Sequence, residues 1–187
     1  MNKIIKHAIL EHRDILELID IKLIQSAYEL IKNSIINNST IFWCGNGGSA
    51  SQANHLSAEL LGGMYKKKIM PFKSICLNVD TAFLTAWSND DSFENIFTRQ
   101  LQANGKKGDV LIGLSTSGNS ININNAATYS NESGIKVVSF TGNDGGKLKS
   151  ISDLNINVAS ESTQRIQEMH ILIGHIICDL VESNFSV

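Results

Sequence analysis

The chain has 187 residues and a formal net charge of −2 at pH 7. This length suits one domain that buries a core of its own without disulfide or metal staples. Because the charge is close to neutral, the chain has no general attraction to nucleic acid or to an acidic membrane surface. We therefore expect a small-molecule partner, with neither nucleic acid nor membrane involved.

The cysteines and the first residues indicate the compartment. Cys44, Cys76 and Cys178 are odd in number and lie in apolar stretches, as reduced core residues do. The opening segment MNKIIKHAILEHRDILELI carries charges throughout, and no apolar run approaches the ~20 residues of a membrane span. We expect a soluble, cytoplasmic protein.

The first predicted elements are two amphipathic helices between residues 4 and 36. Apolar residues recur there at helical spacing: Ile4, Ala8, Ile15 and Ile19, then Ile24, Ala27, Leu30 and Ile31. We interpret residues 1–38 as a helical extension of a single domain that occupies residues 1–187. Residues 39–187 would supply its sheet core and closing helix.

Five apolar runs then have the composition of buried strands: IFWC, SICLNV, DVLIGL, IKVVSF and LNINV. Helical segments separate several of them, at 50–61, 92–104 and 120–132. Such alternation predicts an α/β fold, a doubly wound, mostly parallel five-stranded sheet covered on both faces. Residues 162–183 predict a long closing helix whose apolar side carries Ile166, Met169, Ile173, Ile176 and Leu180.

Two polar loops follow predicted strands, where ligands gather in such sheets. They are GNGGS at 45–49 and STSGNS at 115–120. Backbone N–H groups at a helix start attract anions, and hydroxyls suit the oxygens of a phosphate. Each loop alone is equally typical of ordinary turns and N-caps. Neither matches the nucleotide-binding patterns, which disfavours ATP and NAD.

Two further positions are candidates for acid–base chemistry. His55 and Glu59 are four apart, so they lie on one face of the helix that follows the first loop. His175 lies on the closing helix and can titrate near neutral pH. His170 is about 140° around the same helix from His175, so we expect it to face elsewhere as a structural residue. We expect His7 and His12 at the surface.

The motifs CGNGGSASQANHLSAEL, SND, LSTSGNS, TGNDGG and RIQEMHILIGH together resemble the phosphoheptose isomerase family of sugar-isomerase (SIS) domain proteins. The resemblance implies a flavodoxin-like SIS fold and a homotetramer with sites between subunits. It also implies interconversion of sedoheptulose 7-phosphate and D-glycero-D-manno-heptose 7-phosphate, for heptose supply to lipopolysaccharide or capsule. Such an isomerisation needs a base at carbon and acid–base help at oxygen.

The resemblance assigns roles to particular residues. Glu59 and His175 would be catalytic. The substrate would contact Asn46, Gly47, Gly48, Ser49, Glu59, Asn89, Asp90, Ser115, Thr116, Ser117, Ser120 and Gln167. One zinc ion per subunit would be held by His55, Glu59, Gln167 and His175, and would act as a Lewis acid.

Two positions depart from the family pattern. Many relatives have an arginine where this chain has Gly63, and Lys66, Lys67 or Lys68, otherwise a solvated turn, could replace its charge. Relatives often carry an acidic residue where this chain has Gln164. These departures bear on substrate preference.

Two other functions remain open. The DnaA initiator-associating protein is a SIS-fold regulator with similar motifs, but it lacks the catalytic Glu and the His of the final helix, which this chain retains. A SIS module that senses a sugar phosphate would need only the two loops.

Helix geometry limits the zinc set. Gln167 and His175 are eight residues apart, about 12 Å along a straight helix. Either the helix is irregular or the two ligands come from different subunits, and we favour the second.

Overall fold

The computed structural model describes residues 2–65 and 70–185. It opens with two helices, α1 (Asn2–Leu16) and α2 (Ile21–Ile36), as the apolar periodicity predicts. Helix α2 begins where the Asp20 carboxylate accepts a hydrogen bond from the backbone N–H of Lys22. The two helices differ in burial, because α1 buries only Ile15 whereas α2 buries six residues.

The predicted five-stranded, doubly wound sheet is confirmed. Its strands are β1 (Ile41–Gly45), β2 (Ser74–Cys76), β3 (Val110–Ser115), β4 (Lys136–Gly142) and β5 (Leu154–Val158). They lie in the order β2-β1-β3-β4-β5, and every neighbouring pair is parallel. This is the flavodoxin-like order, in which the winding reverses between β1 and β3. The loops that follow β1 and β3 therefore open side by side.

Six further helices connect and cover the strands in the described part of the chain. They are α3 (Gly48–Gly62), α4 (Thr81–Asp90), α5 (Ile96–Asn104), α6 (Ile121–Glu132), α7 (Gly146–Ser150) and α8 (Thr163–Asn184). The sequence predicted neither α4 nor α7. Helix α4 buries no residue and begins because the Asp80 carboxylate caps the N–H of Phe83, so it has no apolar stripe to detect. Helix α7 has only five residues.

A separate apolar core lies on each face of the sheet. Trp43 of β1 packs with α2, α3 and α8 on one face, whereas its neighbour Phe42 packs with α5, α6 and α7 on the other. Side chains alternate along a strand, so each strand serves both cores. The face that carries α3 and α8 brings together the helices on which the candidate catalytic residues lie.

The long helix α8 corrects one detail of the predicted apolar stripe. Ile166, Met169 and Ile173 are buried as predicted, but Ile176 is 38% exposed. The buried stripe continues instead through Ile177 and passes to Val181. Among the described residues no helix is long and apolar enough to cross a membrane.

The three cysteines are free and buried, as predicted. Burial raises the pKa of the Cys178 thiol to about 12, and it raises the pKa of the Cys44 thiol further still. These thiols therefore stay protonated and unreactive.

Candidate active site

The first loop turns sharply from β1 into α3. A Cβ atom at Gly45 would lie 2.5 Å from the carbonyl oxygen of Ser49, and Gly47 has φ +54°, so both positions require glycine. Helix α3 begins without a side-chain cap, and the backbone N–H groups of Ser49 and Ala50 donate to carbonyls of the loop. An anion at this helix start would meet the positive end of the helix dipole. Ser49 is only 3% exposed, so its hydroxyl faces the protein interior.

The second loop brings its hydroxyls together before α6. The Oγ atoms of Ser115 and Ser120 are 3.0 Å apart. Ser120 is the N-cap of α6 and makes no side-chain cap bond. Ser117 is exposed, and its Oγ accepts a hydrogen bond from the backbone N–H of Asn119 at 3.1 Å. Thr116 is half-buried and its carbonyl accepts the N–H of Gly142.

The TGNDGG segment, residues 141–146, and the start of α7 pack against the second loop. The sequence alone did not indicate this supporting role. The Asn119 Oδ1 accepts the backbone N–H of Lys147, and the Gly118 carbonyl accepts the N–H of Leu148. A Cβ atom at Gly118 would lie 1.9 Å from the carbonyl oxygen of Gly145. The two backbones therefore touch, and glycine is required at the contact.

An amide pair joins the two loops. The side chains of Asn46 and Asn122 exchange two hydrogen bonds, each 2.9 Å long. Asn122 is on the first turn of α6 and was not among the predicted site residues. A sequence pattern gives no sign of this pair, because the two residues are 76 positions apart.

The candidate catalytic residues meet where α3 crosses α8. The Nε2 atoms of His55 and His175 are 2.8 Å apart, and their rings pack edge to face. The Glu59 Oε1 lies 3.5 Å from the Nε2 of His55, and the Glu59 side chain is 21% exposed. A carboxylate and two imidazoles thus form one open cluster that can take up and release protons.

Gln167 lies outside the cluster of His55, Glu59 and His175. Its side chain covers the start of α3, since a Cβ atom at Gly48 would lie 2.6 Å from the Gln167 Nε2. Its carbonyl accepts a hydrogen bond from the Gln52 side chain. Helix α8 is one continuous α-helix through both Gln167 and His175, so helix irregularity does not bring them together. Within the described chain, three of the four predicted zinc ligands converge and Gln167 does not.

Asn89 and Asp90 end α4. Both side chains are exposed, and the Nδ2 of Asn89 donates to the Asp90 Oδ1. Among the described residues no hydrogen bond connects them to either loop.

The structure explains one of the two departures from the family pattern, the glycine at position 63. Gly63 is the C-cap of α3 and has φ +85°, a conformation in which an arginine would be strained. The backbone N–H of Met64 then donates to the buried carboxylate of Glu182 at 2.6 Å. Gln164 is exposed at the start of α8. Lys66, Lys67 and Lys68 lie outside the described residues.

The remaining histidines differ in surroundings. His170 is buried, and its Nε2 lies 3.0 Å from the Thr141 carbonyl, which confirms a structural position away from His175. Burial lowers the pKa of His170 to about 4. His7 is exposed as predicted. His12 is only half-exposed, and its Nδ1 lies 2.7 Å from the Glu168 Oε2, so it is not a simple surface residue.

Comparison with known proteins agrees with this arrangement. The family model of the SIS domain matches residues 10–142. A phosphoheptose isomerase of Helicobacter pylori strain P12 is 44% identical over 193 residues, covering 100% of this chain and 98% of that protein. The structure of phosphoheptose isomerase from Neisseria gonorrhoeae has a TM-score of 0.91 and 37% identity, covering 97% of this chain and 98% of that one. A phosphoheptose isomerase structure from Francisella tularensis has a TM-score of 0.90 and 30% identity, covering 97% and 96%. The chain therefore belongs to the SIS-domain family and, within it, to the phosphoheptose isomerases.

Proposed function

We propose that the chain interconverts sedoheptulose 7-phosphate and D-glycero-D-manno-heptose 7-phosphate through an enediol, and so supplies heptose for lipopolysaccharide or capsule. The observation that carries this proposal is the contact between His175 and the His55–Glu59 pair, on the helix that starts at the glycine loop. A module that only sensed a sugar phosphate would need the loops and no such cluster.

Each group has a role in the reaction. The isomerisation moves a proton between C1 and C2, so a carboxylate such as Glu59 takes the proton from carbon and returns it. His175 serves the oxygen atoms, where a proton is gained on one and lost from the other. The serine hydroxyls and uncapped helix starts hold the phosphate, with Ser117 and Ser120 as donors.

Direct assay of turnover tests the proposal. Purified protein is incubated with sedoheptulose 7-phosphate, and the aldose is sought by NMR, with Glu59→Gln protein as the control. Aldose formation by the parent alone supports the proposal. Saturable binding of the sugar phosphate by the parent, with no aldose formed, would instead favour the regulatory alternative resembling the DnaA initiator-associating protein.

We also propose that the site holds one zinc ion per subunit. The donors fit this ion in kind, because two imidazoles and a carboxylate from His55, His175 and Glu59 are a common zinc set. Among the described residues, however, no group of three or more His, Cys, Asp or Glu side chains has the arrangement of a metal site. A fourth ligand, Gln167, would have to come from another subunit. When bound, zinc would polarise the sugar carbonyl as a Lewis acid.

Metal removal tests the zinc proposal. The protein is dialysed against a chelator, and its zinc content and isomerase activity are measured before and after, and again after zinc is restored. We expect about one zinc per chain in the parent and much less in His55→Ala. A parent that contains no zinc, and gains neither zinc nor activity when zinc is supplied, would contradict the proposal.

We infer a cytoplasmic homotetramer. In support, α1 exposes isoleucines that a monomer has no reason to present, Ile4 at 77% and Ile9 at 63%. An apolar helix face of this kind is typical of a subunit interface.

A further inference from the structure

Asn122 lies beneath the candidate site, and none of the roles proposed above uses it. It is the second residue of α6 and is 3% exposed, although its side chain is a primary amide. A buried amide without hydrogen-bond partners destabilises the folded state, so the contacts of Asn122 show what holds it in place. These contacts lead to Asn46 on the neighbouring loop.

The two amides form a closed pair. The Nδ2 of Asn122 donates to the Oδ1 of Asn46, and the Nδ2 of Asn46 donates to the Oδ1 of Asn122, both at 2.9 Å. The Oδ1 of Asn122 also accepts the backbone N–H of Ile123 at 3.0 Å.

The bond from Ile123 fixes the orientation of the whole pair. Two facing amides can bond in either of two ways, because turning both over exchanges each donor with an acceptor. A backbone N–H, however, can face only an oxygen. The N–H of Ile123 thereby selects the orientation of the Asn122 amide, and Asn122 selects that of Asn46.

The pair leaves Asn46 with defined bonding capacity. A primary amide has two N–H groups and two lone pairs on oxygen. One of each is used by Asn122. Asn46 therefore keeps one N–H and one lone pair, both in fixed directions, on the loop that the family resemblance assigns to the substrate.

We propose that Asn122 is a positioning residue for the isomerase, which fixes the amide of Asn46 toward the sugar and holds the glycine loop against the serine loop. The inference rests on the proposed function. Its physical basis is that hydrogen-bonding groups set in advance need no reorganisation when the substrate binds. Because β1 and β3 are adjacent, the loops at their carboxyl ends lie side by side, and one amide pair can connect them directly.

A double-mutant cycle tests whether Asn122 acts through Asn46. Kinetics with sedoheptulose 7-phosphate are measured for Asn46→Ala, Asn122→Ala and the double variant. We expect each single change to lower kcat/KM on the order of 10- to 100-fold, the scale of a misplaced substrate group. The double variant should be no worse than Asn46→Ala within a few-fold. Losses that multiply, or an Asn122→Ala enzyme with parental kcat/KM, would overturn the proposal.

A second variant covers the case in which Asn122→Ala does not fold. Asn122→Asp keeps the shape and the acceptor for Ile123 but cannot donate to Asn46 when ionised. Asn124→Asp is the matched control, because Asn124 is buried on the same helix and its Oδ1 has no hydrogen-bond partner among the residues that the structure describes. We expect a large loss of kcat/KM for Asn122→Asp and at most a few-fold loss for the control. Equal losses would show that buried charge is the cause.

A readout independent of turnover separates this inference from the proposed function. Hydrogen exchange of the Asn46 side-chain amide is followed by ¹⁵N NMR in the parent and in Asn122→Ala, which removes the oxygen that accepts the Asn46 N–H. If the parent forms no aldose, the proposed function fails while the amide pair is still tested. Faster exchange in the variant supports the pair, and unchanged exchange contradicts it.

Discussion

Glu59 is the residue on which the proposed chemistry depends most directly. Its carboxylate is 21% exposed beside His55, and no other carboxylate of the described chain contacts the histidine pair through a hydrogen bond or ion pair. Glu59→Gln keeps the shape and removes the base, so kcat should fall by ~10²–10⁴-fold. Steady-state kinetics measure this, and substrate binding by calorimetry should change little.

The same proton transfer has an isotopic signature. Reaction in D₂O should introduce deuterium at C2 of the aldose when the base exchanges its proton with solvent. The complete absence of deuterium over many turnovers would favour a hydride shift and count against Glu59 as the base.

His170 makes a prediction about stability and pH. Its pKa is about 4 in the folded protein because the ring is buried, against 6.5 for an exposed histidine. The unfolded chain therefore binds more protons between these values, and folding stability falls as the pH drops from about 6.5 toward 4. The loss is on the order of 3 kcal/mol. Urea unfolding across this range measures it.

A variant isolates this contribution from those of other titrating groups. His170→Gln keeps a donor for the Thr141 carbonyl and does not titrate, so its stability should depend less steeply on pH than that of the parent. His7→Gln, which removes an exposed histidine, is measured in parallel as the control. Parallel curves for His170→Gln and the parent would contradict the assignment.

At the level of elements, the site depends on how closely α3 and α8 approach. A Cβ atom at Gly174 would lie 2.4 Å from the Cδ1 of Leu56, which is fully buried. Gly174→Ala should therefore destabilise the protein by about 1–3 kcal/mol, the cost of overpacking. It should also lower kcat/KM, because these two residues precede His175 and follow His55. Urea unfolding and kinetics measure both effects.

The matched control is another glycine of the same pair of helices. A Cβ atom at Gly62 would meet no atom of the described residues within 4 Å. Gly62→Ala should be neutral or stabilise by about 0.5–1 kcal/mol, since alanine is the better helix former. If Gly174→Ala were equally well tolerated, the close approach of the helices would not be what positions His175.

A helix or strand could be predicted from the sequence when its own residues carried an apolar pattern. The strands and α2, α3, α5, α6 and α8 carry apolar patterns that follow from their own burial, and those patterns predicted them. Helix α4 has no buried residue, so its sequence has no apolar periodicity that would predict a helix. In SICLNV only Ser74–Cys76 form a strand, because β2 is an edge strand that pairs only with β1.

In the site, too, contacts within one helix could be predicted and contacts between distant parts of the chain could not. Spacing along one helix could place His55 beside Glu59, and it could separate Gln167 from His175. The Asn46–Asn122 pair, the Glu182 carboxylate and the Gly174 contact join distant parts of the chain. Such contacts depend on the packing of whole elements, and one sequence carries no local sign of them.

At the level of the molecule, α1 links the expected assembly to the site. The Nδ1 of His12 lies 2.7 Å from Glu168, the residue after Gln167, and the Arg165 guanidinium donates to the Ala8 carbonyl. Beside these contacts α1 exposes the apolar residues Ile5 and Ile9, and Ile9 lines a groove with Ala8, His12, Arg165 and Glu168. A second subunit that covers α1 would therefore approach the turn of α8 that carries Gln167.

The separation of Gln167 from His175 makes a final prediction about this assembly. Helix α8 is continuous, so the Cα atoms of these residues are about 12 Å apart along its axis. Even fully extended side chains with metal bonds of ~2.1 Å could barely close this gap within one chain, so we expect the complete site to combine chains. Glu59→Gln chains co-refolded with Gln167→Ala chains should then recover part of the activity. The mixture with His175→Ala chains should stay inactive, because Glu59 and His175 belong to the cluster of one chain. Each variant refolded alone, at the same total concentration, is the control. If native mass spectrometry shows hybrid oligomers in every mixture and all of them stay inactive, each site takes its groups from one chain.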